Sequence, residues 1–311
     1  MNPLTHFKKI RILPLLSLGA IFALVTAAHA QNLYVSAHRP QSDGGHAILE
    51  FTPSGTQSTY ASGLLFPRGL AFDSIGNLFA AETVAPGDRD LLIGRVLKFN
   101  LRNHVSTVGS AVNFFFEGLA LDIAGNAYVM ANDQTSPTGA STIFKFTPDG
   151  ERIVFGSVPS QGWGLAFDSA GNLYAAEGVV DFGPDRTIFK FAPDGTRTVF
   201  AGPSAFDPGV YPVGLAFDSS GNLFVSTETF IGDPGSDTIL KFTNGVPSTF
   251  ATGLTFPRGL AFDSSGNLFV AEAGVPEIPG GDIKKFAPDG TWTPFASGFG
   301  RPEFLTFGPP R

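Results

Sequence analysis

Short runs in which large apolar residues alternate with small or polar ones recur from residue 32 to the end of the chain. Alternation with a period of two is the pattern of β-strands with one face against a core. One phrase anchors the pattern: Gly-Leu-Ala-Phe-Asp, a turn, then Gly-Asn-Leu-Phe/Tyr-Val/Ala. It begins at Gly69, Gly118 (as Gly-Leu-Ala-Leu-Asp), Gly164, Gly214 and Gly259, at spacings of 49, 46, 50 and 45 residues. In the copy at Gly164 four runs follow one another, residues 164–168, 172–176, 187–191 and 197–201, separated by Asp-Ser-Ala-Gly and Pro-Asp-Gly turn sequences. Each repeat therefore reads as one four-stranded antiparallel sheet. No stretch after residue 30 keeps a helical period of apolar residues.

Repeats of this length with several strands each form circular or linear arrays, because one unit cannot bury its apolar faces alone. The termini point to a circle. Residues 32–35 begin a copy that lacks its opening strand, and residues 304–307, Phe-Leu-Thr-Phe, are an opening strand with no copy after it. Pairing first with last removes both bare edges. The expectation is an all-β, six-bladed β-propeller over residues 31–311, closed by the C-terminal strand.

Composition agrees with many tight turns and apolar sheet-on-sheet contacts. There are 38 Gly, 24 Pro, no Cys and 15% charged residues. Many of the 32 Phe recur at repeat positions such as Phe72, Phe99, Phe191, Phe242 and Phe286, where they read as core rings between blades. Residues 1–30 follow another pattern: Lys8, Lys9 and Arg11, an apolar run over 12–25, and Ala28-His29-Ala30 before Gln31. These are the parts of a secretory signal peptide cleaved near Ala30, so the mature chain is expected to be exported, to the periplasm or beyond, and to keep no stable membrane insertion. Removing that segment leaves 17 basic against 27 acidic residues, a formal charge of −10. A surface of that sign repels phosphate backbones and excludes nucleic acid as a partner.

In a four-stranded blade the turns from strand one to two and from three to four lie on one side of the disc, and the remaining connections on the other. The first side is uniform: Asp73, Asp122, Asp168, Asp218 and Asp263 each open a turn and read as caps for backbone N–H groups. The other side is irregular, with loops over 38–47, 83–94, 132–141, 178–186, 228–237 and 273–282, and links over 110–117 and 202–213. Unequal insertions confined to one face mark it as the binding face.

Two rings of residues would surround the channel there. Before the inner strands stand Glu303, Arg68, Glu117, Trp163, Val213 and Arg258; at the ends of the second strands stand Ala37, Glu82, Ala131, Glu177, Thr227 and Glu272. Arg68, Glu117, Asn132, Trp163, Arg258 and Glu303 are the candidate binding residues. Glu303, Glu117, Glu82, Glu177 and Glu272 are the candidate ligands for a divalent cation, Ca, Mg or Zn. Ion pairing with Arg68 and Arg258, which flank Glu303 in blade order, is the competing use of the same carboxylates. His38 and His46 share one loop; His104 sits in an outer turn. No Gly-x-Ser-x-Gly, His-Glu-x-x-His, P-loop or dinucleotide motif occurs.

The repeat sentences Gly-Leu-Ala-Phe-Asp, Gly-Asn-Leu-Phe-Val-Ala-Glu and Ile-Phe-Lys-Phe-Ala-Pro-Asp-Gly-Thr resemble those of the NHL and SMP-30/gluconolactonase/LRE superfamily of six-bladed propellers. In its lactonases the resemblance implies a channel cation held by a Glu before one inner strand, matched here by Glu303, and by Asn or Asp in other blades, where this chain has Trp163 and Val213. Two functions follow as expectations: a scaffold that binds a small neutral or sugar-like ligand or a protein surface at the acidic, irregular face, or a metal-dependent hydrolase or lactonase with a rearranged carboxylate set.

Overall fold

The computed structural model describes residues 31–38, 45–85, 91–178, 186–229, 235–274 and 281–310. The candidate signal peptide and parts of five of the irregular loops lie outside the described residues. Blade 1 contains β1 (Leu33–His38), β2 (Ala47–Phe51) and β3 (Gln57–Ser62). Blade 2 is β4 (Phe66–Phe72), β5 (Leu78–Val84), β6 (Ile93–Phe99) and β7 (Val105–Val112). Blade 3 is β8 (Phe114–Leu121), β9 (Ala127–Asp133), β10 (Ser141–Phe146) and β11 (Arg152–Val158). Blade 4 is β12 (Gly162–Phe167), β13 (Leu173–Gly178), β14 (Arg186–Phe191) and β15 (Arg197–Ala201). Blade 5 is β16 (Val210–Phe217), β17 (Leu223–Thr229), β18 (Asp237–Thr243) and β19 (Val246–Leu254). Blade 6 is β20 (Pro257–Phe262), β21 (Leu268–Glu272), β22 (Asp282–Phe286) and β23 (Trp292–Ser297). The last strand, β24 (Arg301–Phe307), pairs antiparallel with β1 and completes blade 1 in the order β24-β1-β2-β3. The molecule is a six-bladed β-propeller closed by its C-terminal strand.

Between blades the large rings interdigitate. Phe51, Phe99, Phe146, Phe191, Phe242 and Phe286, at the same repeat position, are all fully buried. In five blades an edge-to-face pair joins the second strand to the next inner strand: Tyr34 on Phe72, Tyr128 on Phe167, Tyr174 on Phe217, Phe224 on Phe262 and Phe269 on Phe307. The repeat aspartates are consumed in their turns: Asp218 Oδ1 accepts the N–H groups of Ser220 and Asn222, and Oδ2 accepts from the Asn222 side chain. The same triplet of bonds recurs at Asp73, Asp122, Asp168 and Asp263. That side of the disc is scaffold.

The glycine of Gly-Leu-Ala-Phe is demanded by the approach of neighbouring inner strands. A Cβ at Gly214 would lie 1.8 Å from the carbonyl oxygen of Arg258 in the next blade, and one at Gly69 would lie 2.3 Å from the backbone nitrogen of Leu119. Backbone cannot yield there without opening the ring. The inner strands line a cavity of about 150 Å³ with Leu70, Leu119, Leu165, Leu215, Leu260 and Leu305, and Phe304 stands where other blades have glycine.

Candidate functional site

Sequence reasoning places the residues before each glycine ahead of the inner strands. In the structure they lie within the strands, at six equivalent β-bulges. Register shifts between Pro67 and Leu70, Phe116 and Leu119, Gly162 and Leu165, Pro212 and Leu215, and Pro257 and Leu260 on the inner strands. In blade 1 the shift separates the pairs Val35–Leu305 and Ala37–Pro302. A bulge re-aims one side chain and bends its strand. Repeated around the disc, it brings side chains of four of these positions together, Arg68, Glu117, Arg258 and Glu303.

These four, with Glu228 and Tyr211, form a chain of alternating charge across five blades, buried except for Arg68, which is partly exposed. Tyr211 donates its hydroxyl to Glu228 Oε2 at 3.1 Å, and Arg258 Nε donates to Glu228 Oε1 at 2.9 Å. Arg258 and Arg68 each donate to the same oxygen, Glu303 Oε2, at 2.5 Å. Arg68 Nε then faces Glu117 Oε2 at 3.6 Å. On the other oxygen of Glu303, Arg301 Nε stands at 3.2 Å and His38 Nδ1 at 3.4 Å. Glu303 is fully buried, and burial by itself would raise its pKa; Arg258 and Arg68 overcome that and hold it at about 2. Glu117 has no such surplus of cations, and burial raises its pKa despite Arg68. Burial likewise pushes Asp237 up to about 6, although its oxygens accept the N–H groups of Thr229 and Phe256.

Burial also drives the His38 pKa down to about 3, helped by the positive charges of Arg68 and Arg258 and opposed by Glu303. His46 packs against it with the rings tilted, 4.7 Å between centroids, and burial lowers its pKa as well. A base whose folded pKa lies below its unfolded value of 6.5 leaves stability intact above that pH and removes it as pH falls toward the folded value. The melting temperature is therefore expected to fall as pH drops from about 6.5 to about 5, before most carboxylates titrate. A His38→Gln/His46→Gln variant should lose this fall and keep only the opposite trend set by Asp237, whose raised pKa makes the folded state take up a proton first as pH drops below about 6; an equal slope in both proteins would show that these rings are not the cause.

Of the other candidate residues, Glu82, Glu177, Glu272 and Asn132 hold links between blades, and Trp163 packs against the chain. Glu82 accepts Leu65 N–H at 2.8 Å and Arg95 Nε at 2.6 Å; Glu177 accepts Ser160 N–H at 2.8 Å; Glu272 accepts Thr255 N–H at 2.7 Å and pairs with Lys284 at 2.6 Å. Each ties down the link entering its own blade. Asn132 Oδ1 accepts from Ser141 and from Gly162 N–H, joining blade 3 to blade 4. Trp163 is buried, with its indole N–H given to Gly178 O, Tyr211 stacked at 6.1 Å, and the Arg258 guanidinium 5.7 Å from the ring centre. It walls the channel.

Glu228, Tyr211 and Arg301 escaped the sequence reading. Glu228 follows Thr227, the ring position of its blade, so only the register that sets it opposite Tyr211 reveals it. A hard divalent cation takes about six oxygen ligands. Here the best-placed carboxylate carries two guanidinium groups on one oxygen and faces a third on the other, and among the described residues no three His, Asp or Glu side chains gather to hold an ion. The arrangement does not fit such a cation.

No protein-family model matches the chain, and no curated protein does. Solved structures do. A putative 6-phosphogluconolactonase from Bacteroides fragilis superposes with a TM-score of 0.57 at 12% identity, covering 91% of this chain and 99% of the other. A gluconolactonase from Xanthomonas campestris gives 0.55 at 15% identity, with 87% of each chain covered. Regucalcin, a calcium-binding protein from Agrobacterium tumefaciens, gives 0.54 at 15% identity, with 79% of each covered. The likeness is one of fold.

Proposed function

We propose that this chain is an exported binding propeller whose working surface is the channel mouth above blades 1 to 3. One observation carries the reading. Among the described residues seven buried side-chain polar atoms have no hydrogen-bond partner, and five of them, His38 Nε2, Arg68 Nε, Glu117 Oε2, Arg301 Nε and Glu303 Oε1, belong to this one cluster. Buried polar atoms are ordinarily satisfied, so a concentration of donors and acceptors left over at one place points to a polar ligand or ordered water there. The opposite half of the ring, Tyr211, Glu228 and Arg258, has its hydrogen bonds closed internally. Aromatic rings of Phe66 and Phe115 flank the open half, 6.0 Å apart. A small ligand with an apolar body and a few polar groups suits such a mouth. Among the described residues the Asp-capped face of the disc has no comparable set.

Export rests on the composition of residues 1–30, and fractionation of expressing cells tests it: a mature N-terminus at Gln31 outside the cytoplasm is expected. Among the described residues no helix is long and apolar enough to cross a membrane. The metal-dependent lactonase reading draws support from likeness of fold to proteins of that name and of calcium binding. The cations already around Glu303 stand against it. Thermal-shift titration separates the two. Stabilisation by sugars, amides or organic acids, lost in Glu117→Gln and Arg68→Met, is expected, with no shift on adding Ca²⁺, Mg²⁺ or Zn²⁺. An ion held tightly by the purified protein and lost in Glu303→Gln would overturn the binding reading.

A further inference from the structure

The alternating chain of charges ends on an unmatched pair. Arg68 Nε and Glu117 Oε2 are both buried, both lack a hydrogen-bond partner, and face each other at 3.6 Å, beyond hydrogen-bond reach. Every other link from Tyr211 to Arg68 is a closed bond of 2.5 to 3.1 Å. The charges decide what would close the last one. Arg68, Arg258 and Arg301 contribute three positive charges, and Glu303 and Glu228 two negative ones. With Glu117 ionised the cluster is neutral; with Glu117 carrying a proton it holds one positive charge and offers an O–H donor beside the Arg68 N–H. Two donors 3.6 Å apart and one surplus charge match a single carboxylate. A phosphate dianion would exceed that charge. The surrounding wall is aromatic: the Arg68 guanidinium lies 5.4 Å over Phe115, Phe66 is 6.0 Å from Phe115, and His46 lies 5.4 Å from Phe66.

We propose that Arg68 and Glu117 clamp the carboxylate of a small aromatic acid, Arg68 Nε–H donating to one oxygen and protonated Glu117 donating to the other, so that one proton is taken up from solution for each ligand bound. This rests on the reading of the channel mouth as the binding surface. No bond of the ligand is made or broken: a proton moves from water to Glu117, and the ligand binds as its anion. Burial and the negative charges of Glu303 on β24 and Glu228 on β17 favour the protonated form, while Arg68 on β4 and Arg258 on β20 oppose it. An incoming anion adds to the first group.

Calorimetric titration of the full chain with benzoate, benzamide and benzylamine tests the clamp, since the three probes share a ring and differ in the charge of the head group. Benzoate is expected to bind best, with affinity falling about tenfold per pH unit above the titration of Glu117 and with a proton uptake that shows as a buffer-dependent heat. Arg68→Met should weaken benzoate at least tenfold. Because that variant leaves Glu303 short of a partner and puts folding at risk, Glu117→Gln provides the second arm: the pH slope and the proton uptake should both vanish. Tighter binding of benzamide or benzylamine, or benzoate binding with no proton uptake at a pH above the titration of Glu117, overturns the clamp. If ligands from the wider thermal-shift panel bind at the mouth and benzoate does not, only the clamp falls; if nothing in that panel binds, the reading of the mouth falls with it.

Discussion

A chain ending at Gly300 is expected to show no cooperative thermal transition. The deletion removes β24, the inner strand of blade 1, and leaves β1 with a bare edge facing the channel. It also takes away Glu303, the shared partner of Arg68 and Arg258, and Leu305, which packs with Val35, Leu49 and Phe269 where blade 6 meets blade 1. In an array each blade is stable only against its neighbours, so opening the ring at one seam exposes the apolar faces of both flanking blades. Circular dichroism on heating checks this. A synthetic peptide of residues 301–311 added to the truncated chain should restore part of the transition by re-forming the β24–β1 ladder, whose register runs from Leu33–Phe307 to His38–Arg301. A truncated protein melting at the parent temperature would show that closure does not hold the molecule together.

Glu303→Leu is expected to cost about 3–5 kcal/mol, the usual penalty for removing one member of a buried ion cluster. Without the carboxylate, Arg68 and Arg258, whose nitrogens now meet at one oxygen, are left as neighbouring like charges; among the described residues Arg258 keeps Glu228 and Arg68 faces Glu117. Urea denaturation of the two proteins measures the difference. The pH dependence gives an independent sign. A carboxylate held at about 2 in the folded state contributes stability that is complete above its unfolded value of 4.5 and is lost as pH falls from there toward 2. The gap between parent and Glu303→Leu should therefore narrow with acid over that range; a constant gap would assign the loss to packing.

The fold was legible because its determinants are local and repeated. Period-two alternation, Asp-x-x-Gly-Asn turns and the missing opening strand at residue 32 each appear in a window of a few residues, and repetition averages out local exceptions. The uniform role of Asp73, Asp122, Asp168, Asp218 and Asp263 followed from the same spacing, since a carboxylate caps N–H groups two and four residues on. The site was legible only in part. Arg68, Glu117, Arg258 and Glu303 share one repeat position and could be aligned, whereas Glu82, Glu177 and Glu272 share another and look equally suited to a channel, yet the structure spends each on a link N–H of its own blade. Glu228 and Arg301 occupy no ring position at all.

By itself the sequence determined the number of blades, their four strands, the closing strand and the face that varies, since these depend on alternation, turn chemistry and the order of elements along the chain. Tertiary structure alone decided which acid meets which base. Arg68 and Glu303 lie 235 positions apart, and Arg258 and Glu303 lie 45 apart, yet both guanidinium groups reach one oxygen because ring closure sets their blades on either side of blade 1 and the bulges turn them inward. Charge pairing across a channel is a property of distances between side chains, and those exist only once the ring has closed.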